Sequence, residues 1–230
     1  MCQHLVSQSD EQLLKTAYSD EARFYLSASV NTKNTVRYAH RKVKGGSGRP
    51  STAICEKKSY PESVMVFLGI FDGKTFGFRI FEETMNSELY QEHVTNICTP
   101  EIRHRNGGSL IGVTWQQDGA SCHRNPGFMR FLDEEYNGCV LALGADRPPL
   151  RGVEWSPRSP DLNPLDYSVW SILKDRVYKP RPSNLQELKD KIREEVSNLS
   201  EDLLRRIVLN LRSRAELYIA NNGGHFEPDL

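Results

Sequence analysis

Three aspartates in this 230-residue chain stand where a carboxylate is costly. Residues 16–28, TAYSDEARFYLSA, alternate strictly: Tyr18, Ala22, Phe24 and Leu26 are apolar, while Ser19, Glu21, Arg23 and Ser27 are polar. A period of two reads as a half-buried β-strand. It puts Asp20 on the apolar face and Glu21 on the solvated one. A buried carboxylate needs a cation or a donor, and a structural ion pair with an arginine would serve as well as a functional site. Asp118 closes an apolar strand expected at 110–117 and precedes Gly119. Strand carboxyl ends carry the chemistry of α/β sheets, although Asp-Gly is also a common turn. Asp166 lies in WSPRSPDLNPLDYSVW, residues 155–170, just inside a helix expected to begin at Asn163-Pro164, with Asn as the cap and Pro at the first helical position. At the third helical position its carboxylate can close a capping box. At 100° per residue it also shares a face with Trp170, Leu173 and Val177, the face that packs on the core.

Three inward acids on three elements of one domain form a candidate metal site. Hard divalent cations such as Mg²⁺ bind carboxylate oxygens without needing His or Cys. Two such ions ~3.5–4 Å apart can activate a nucleophile and stabilise the leaving oxygen of a phosphodiester. Asp20, Asp118 and Asp166 are therefore the candidate metal-ligating and catalytic residues. Asp161, in SPDLN, competes for the third place.

The elements that must position these acids are legible in outline. A second strand is expected at about 34–40, and residues 41–63 are a Gly-, Ser- and Pro-rich segment with no regular element. Residues 64–82 read as two strands joined at Asp72-Gly73, a hairpin signal. A helix follows at 86–104, a buried strand at 109–115, a helix at 125–136 and a short strand at 139–143. Three helices close the chain, at about 164–178, 184–198 and 201–218. In the last, Leu203, Leu204, Ile207, Val208 and Leu211 form an apolar stripe. Strands first, then alternating helix and strand, then helices describe a mixed α/β layer fold.

Composition bounds the function loosely. Thirty Lys and Arg balance thirty Asp and Glu, so net charge argues neither for nor against nucleic acid. Five cysteines, Cys2, Cys55, Cys98, Cys122 and Cys139, include no C-x-x-C pair; the count supports neither a disulfide framework nor a zinc knuckle, and a reducing compartment is expected. No apolar run approaches the ~20 residues of a membrane span, and no signal-peptide pattern opens the chain.

Three blocks of wording, YSDEARFYLSASVNTKN (18–34), WQQDGASCH (115–123) and WSPRSPDLNPLDYSVWSILKDRVY (155–178), resemble the Tc1/mariner superfamily of DNA transposases, in its mariner-like branch whose third acid is Asp. The likeness runs from about residue 16 to the C-terminus, NNGGHFE included. It implies a ribonuclease H-like fold: a mixed central sheet flanked by helices, with a C-terminal helical segment. It further implies phosphodiester hydrolysis at transposon ends and strand transfer into target DNA, dependent on Mg²⁺ or Mn²⁺ and carried by Asp20, Asp118 and Asp166. DNA partners, a homodimer and a nuclear location are implied too, with no small-molecule cofactor. The competing readings are a domesticated or truncated non-catalytic DNA-binding or dimerisation module, and a ribonuclease H-type nuclease.

Two departures stand out. Asp118 and Asp166 are separated by 47 residues, more than the family usually shows, and the excess is easiest to place in LGADRPPLRG. Only about twenty residues precede Asp20, too few for the N-terminal helix-turn-helix that reads transposon ends, so residues 1–15 are expected to be a short remnant and 16–230 the catalytic domain.

Around the acids, His123 could touch substrate phosphate or be a hydrogen-bonded structural residue. Lys33, Arg37, Arg41, Lys42, Lys44, Arg49, Lys57 and Lys58, against the single acid Glu56, suit phosphate contact or form a solvated loop; in mariner-like enzymes the corresponding region resembles an arm clasping a second subunit. Arg205, Arg206, Arg212 and Arg214 are expected to form a solvated helix face.

Overall fold

The computed structural model describes residues 1–26, 62–157 and 159–221. Two short helices, α1 (Cys2–Ser7) and α2 (Asp10–Leu14), open the chain. They lead into strand β1 (Thr16–Tyr25) and the hairpin of β2 (Ser63–Phe71) and β3 (Lys74–Phe81). A helical run follows, α3 (Ser87–His93) continuing through the π-turn Val94–Cys98 into α4 (Thr99–Arg105). Then come β4 (Thr114–Gln116), α5 (Pro126–Glu135), β5 (Val140–Ala142) and β6 (Val153–Glu154). The helices α6 (Trp170–Val177), α7 (Leu185–Ser197) and α8 (Glu201–Ala220) complete it.

The strands form one sheet in the order β3-β2-β1-β4-β5-β6. β1, β2 and β3 are antiparallel neighbours, while β1, β4, β5 and β6 run parallel. The hairpin turns at Asp72-Gly73 as its sequence demands, both residues having positive φ (49° and 75°). The lengths are unequal. β4 pairs with β1 only from Thr16↔Thr114 to Tyr18↔Gln116, so β1 from Ser19 to Tyr25 overhangs its parallel neighbour. The chain also leaves β1 for β2 on one side and returns through β4 on the other, which makes the step between them a topological switch point, where α/β sheets open a crevice.

Each face of the sheet has its own core. On one, Tyr18, Ala22 and Phe24 pack with Trp170, Leu173, Ile192, Val208 and Leu211 from the C-terminal helices. On the other, Ala17, Phe67 and Trp115 pack with Tyr90, Val94 and Phe128 from α3 to α5. The alternation in β1 therefore separates two buried faces at its first half, where the sequence pattern suggests one buried and one solvated. Two polar residues of β1 show why: Ser19 donates from Oγ to the Gln116 carbonyl at 2.9 Å, and the largely covered Glu21 side chain meets a histidine.

Three further expectations are corrected. The strand at 109–115 is confined to Thr114–Gln116, because Leu110–Gly112 turn, with Gly112 at φ 79°. The first fifteen residues hold α1 and α2, whose Leu5 and Leu13 are buried. Of the α8 arginines only Arg206 is exposed as expected; Arg205 bonds Asp72 at 2.8 Å, Arg212 pairs with Asp10 at 2.7 Å, and Arg214 lies 4.3 Å over the Tyr167 ring. α8 runs beneath the hairpin turn, the N-terminal helices and the segment around Asp161, so part of its polar side meets protein. The strand at 34–40 and the basic segment up to residue 61 lie outside the described residues.

Gly69 marks the tightest packing in the sheet. It sits at the irregularity in the β2–β3 pairing, and a Cβ there would come within 2.2 Å of the Phe76 ring, which itself packs edge-on against Trp115. Gly69→Ala is expected to lower unfolding free energy by about 1–3 kcal/mol, read from denaturant unfolding. An unchanged midpoint would show that the ring can move aside.

Candidate functional site

Asp20 lies on the overhanging part of β1, opposite Leu68 of β2, and is 7% exposed. Trp170 Nε1 donates to its Oδ2 at 2.7 Å, and the same indole packs edge-on against Phe24, which fixes its direction. Burial drives the Asp20 carboxyl well above the usual range, and the negative charges of Asp166, Glu21 and Asp118 push the same way. The Trp170 bond only partly opposes them.

Asp166 reaches Asp20 because Asn163 clamps the start of its helix to β1. Asn163 is buried; its Nδ2 donates to the Ser19 carbonyl at 3.4 Å and its Oδ1 accepts from Leu165 N at 3.1 Å. The next residues, Leu165–Val169, form a π-turn with no side-chain cap, and α6 follows. Asp166 thus does not close a capping box. Its carboxyl instead interacts electrostatically with that of Asp20. Burial pushes Asp166 up to about 6; the Asp20 interaction and Lys174 pull down, while Asp118 and Asp161 push up. Trp170, Leu173 and Val177 are buried as the helical face predicts, and Asp166 sits at the exposed edge of that face.

Asp118 stands two residues beyond β4. Its Oδ1 accepts from Ala120 N at 2.9 Å and meets His123 Nδ1 at 2.8 Å. Gln117 braces the turn that makes this possible: its Oε1 accepts from Tyr90 and Trp115, and its Nε2 donates to the His123 carbonyl. Burial opposes ionisation of Asp118, but the His123 bond and charge, the Ala120 amide and Arg124 together hold it below the usual range.

His123 is 2% exposed, its ring 4.0 Å from that of Tyr90, and its Nε2 lies 3.3 Å from Glu21 Oε2, within ion-pair distance but outside hydrogen-bond geometry. Burial disfavours the imidazolium; Tyr90, Glu21 and Asp118 outweigh it and raise His123 well above its ordinary value. The Tyr90 hydroxyl is itself held far above its normal range, so it is neutral at pH 7 and the two acids supply the charge stabilisation. Glu21 is the residue missed in the sequence. Its signal was the strand type: strands with parallel neighbours are covered on both faces, so neither side of β1 was free to be solvated.

Of the predicted acids, Asp20 and Asp166 are close enough for their charges to act on each other. Asp118 lines a small cavity of about 100 Å³ together with Trp155, Asn163 and Asp166, and its charge acts on both partners. Among the described residues no three of His, Cys, Asp and Glu already gather around one point as a metal site. The donors nonetheless suit a hard divalent cation: all are carboxylate oxygens, the raised Asp20 and Asp166 carboxyls hold protons that a cation would displace, and both polar contacts of the Asp118 carboxylate fall on Oδ1. Asp161 is bonded elsewhere, its carbonyl accepting from Arg214 Nε at 2.6 Å. His123 is buried between acids. Lys33, Arg37, Arg41, Lys42, Lys44, Arg49, Lys57 and Lys58 lie outside the described residues.

The raised carboxyls bind protons more tightly in the folded state than in the unfolded one. The stability they contribute is therefore complete below about pH 4 and is lost as pH rises through the folded value near 6 for Asp166. Asp118 has the opposite sign, its contribution being lost only on acidification. Without divalent metal, wild-type stability should fall between pH 4.5 and 7.5 by about 1 kcal/mol more than that of Asp166→Asn, a figure reduced for the exposure of Asp166. Thermal melts across that range check this; equal pH slopes would rule out the raised Asp166 carboxyl.

No family model and no curated protein matches the chain. Solved structures do. The crystal structure of the catalytic domain of Mos1 mariner transposase superposes with a TM-score of 0.68 at 17% identity, covering 98% of this chain and 92% of that one. The Mos1 transposase paired-end complex with left transposon end gives 0.67 at 19% identity, again over 98% of this chain, and this chain spans 61% of that one. The Mos1 catalytic domain with Raltegravir and Mn gives 0.66 at 17%. With its mixed six-stranded sheet and flanking helices, the chain has the ribonuclease H-like fold of the mariner transposase catalytic domain.

Proposed function

We propose that the chain is the catalytic domain of a mariner-like DNA transposase, which hydrolyses phosphodiesters at transposon ends and joins the freed strand to target DNA, dependent on Mg²⁺ or Mn²⁺. The observation that carries this reading is the convergence of Asp20, held by Trp170, and Asp166, whose helix is pinned to the residue before Asp20, with Asp118 and Asp166 lining one small cavity. Two acids so placed repel a phosphodiester unless cations stand between them.

Asp20, Asp118 and Asp166 are the residues that would hold the metal. A divalent ion bound there supplies activation of the attacking oxygen and stabilisation of the leaving one. The protein groups around it have separate tasks. Trp170 N–H fixes the Asp20 oxygen, and Asn163 fixes the helix start that carries Asp166. His123, charged by Glu21 and Asp118, keeps Asp118 ionised at neutral pH. The open cleft beside Asp166, about 770 Å³ and walled by Arg23, Tyr25, Trp170 and Lys174 as well as Glu21 and Asp175, has the size to seat a DNA strand, with Arg23 and Lys174 available to its phosphates.

The fold neighbours support the partners: Mos1 structures were determined with transposon-end DNA, with Mn and with Mg. Pairing of two ends in that protein supports a homodimer here, and DNA as substrate supports a nuclear location. A second reading, a DNA-binding module without catalysis, draws support from the absence, among the described residues, of a ready-made three-residue metal site.

Nicking of supercoiled plasmid in Mn²⁺ or Mg²⁺, against EDTA, separates the two. Asp166→Ala is expected to reduce metal-supported nicking by about 100-fold or more, and Asp161→Ala to retain most of it. A wild-type chain that binds DNA but never nicks it would favour the second reading; a dead Asp161→Ala beside an active Asp166→Ala would move the site into the loop.

A further inference from the structure

A second basic feature lies beyond the acidic cleft, on the far side of the Asp118 turn. Most arginines of the described residues are engaged: Arg103 with Glu135, Arg105 with Glu101, Arg151 with Asp133, Arg205 with Asp72 and Arg212 with Asp10. Arg124, Arg130 and Arg147 differ. All three are exposed, none forms an ion pair with a described residue, and all three line one groove of about 340 Å³ with no acidic lining residue. The remaining walls include Met129, Leu143 and Pro148. Three unpaired guanidinium groups held close together repel one another, so the arrangement favours an anionic ligand.

The groove is joined to the acidic site. Leu143 packs directly against Gly119, where a Cβ would come within 3.0 Å of its Cδ2, and Arg124 acts electrostatically on Asp118. Its volume falls at the low end of ligand sites, which leaves room for one nucleotide unit and none for a duplex. Cationic rims beside an apolar wall are the pattern that binds single strands, phosphates on the guanidiniums and base against the apolar surface.

We infer that this groove holds a single-stranded stretch of the DNA bound at the acidic site, with two or more phosphates on Arg124, Arg130 and Arg147 and an unpaired base against Met129, Leu143 and Pro148. The inference rests on the reading of the chain as a DNA-cutting enzyme.

The test is fluorescence anisotropy in EDTA, with a labelled duplex carrying a single-stranded tail and the same duplex blunt-ended. Wild type should prefer the tailed DNA. Arg130→Glu with Arg147→Glu should lose about tenfold or more on the tailed DNA, and its dependence of log affinity on log salt should be shallower by about 1.4, two single-strand phosphates' worth. Lys74→Glu with Arg193→Glu makes the same charge change on exposed residues elsewhere and should stay within about twofold of wild type. Arg130→Gln with Arg147→Gln, checked for folding by circular dichroism, should show the same loss in smaller measure, which excludes misfolding and simple repulsion. Equal losses in the two Glu pairs, or none in the groove pair, would overturn the groove. The underlying reading fails separately: a wild type that binds through the groove yet nicks no plasmid removes the enzyme and keeps the site, whereas a nicking enzyme indifferent to the groove variants does the reverse.

Discussion

A buried carboxyl close to a second acid resists ionisation unless a cation offsets the two charges, and the electrostatic link between Asp20 and Asp166 imposes that constraint here. Much of the nearby architecture serves to enforce it. Asp20 is held by an indole N–H whose ring is locked against Phe24. Asp166 is delivered by a helix whose first turn is pinned to the Ser19 carbonyl, the residue next to Asp20. A carboxyl pair left to relax would separate; this one is anchored from both sides, so its repulsion is stored as a raised affinity for protons, and in the proposed reading for divalent metal.

The third acid is handled by the opposite electrostatics. Asp118 is ionised because His123 is charged, and His123 is charged because Glu21 and Asp118 flank it in a buried setting. A buried imidazolium without both partners would cost several kcal/mol. Glu21 and Asp20 are chain neighbours on opposite faces of β1, so one strand sets the protonation of all three acids: upward on the face of the C-terminal helices, downward on the other. The unequal lengths of β1 and β4 make this possible, since only an overhanging strand exposes both faces to a turn from its neighbour.

Much of this was legible in the sequence where periodicity was strong. The alternation around Asp20, the helical face shared by Asp166 and Trp170, the Asp72-Gly73 hairpin and the apolar stripe of α8 all describe local rules that tertiary structure did not override. What failed was the inference of solvent from polarity. Glu21, Arg205, Arg212 and Arg214 looked solvated because they are charged, yet a sheet covered on both faces and a helix packed against three other segments leave charged residues facing protein. Strand β4 was overestimated because its apolar approach is a turn that buries Leu110 and Val113 and leaves Ile111 exposed. Helices α1 and α2 escaped because six and five residues carry too little periodicity to read.

That Asp20 and Asp166 give up bound protons for a divalent cation is tested most directly by calorimetric titration of the protein with Mn²⁺ at pH 6, in two buffers of different ionisation enthalpy. Binding should be accompanied by release of about one proton per protein, a release that Asp166→Asn reduces. Mn²⁺ binding of equal enthalpy in both buffers, or binding unaffected by Asp166→Asn, would contradict it.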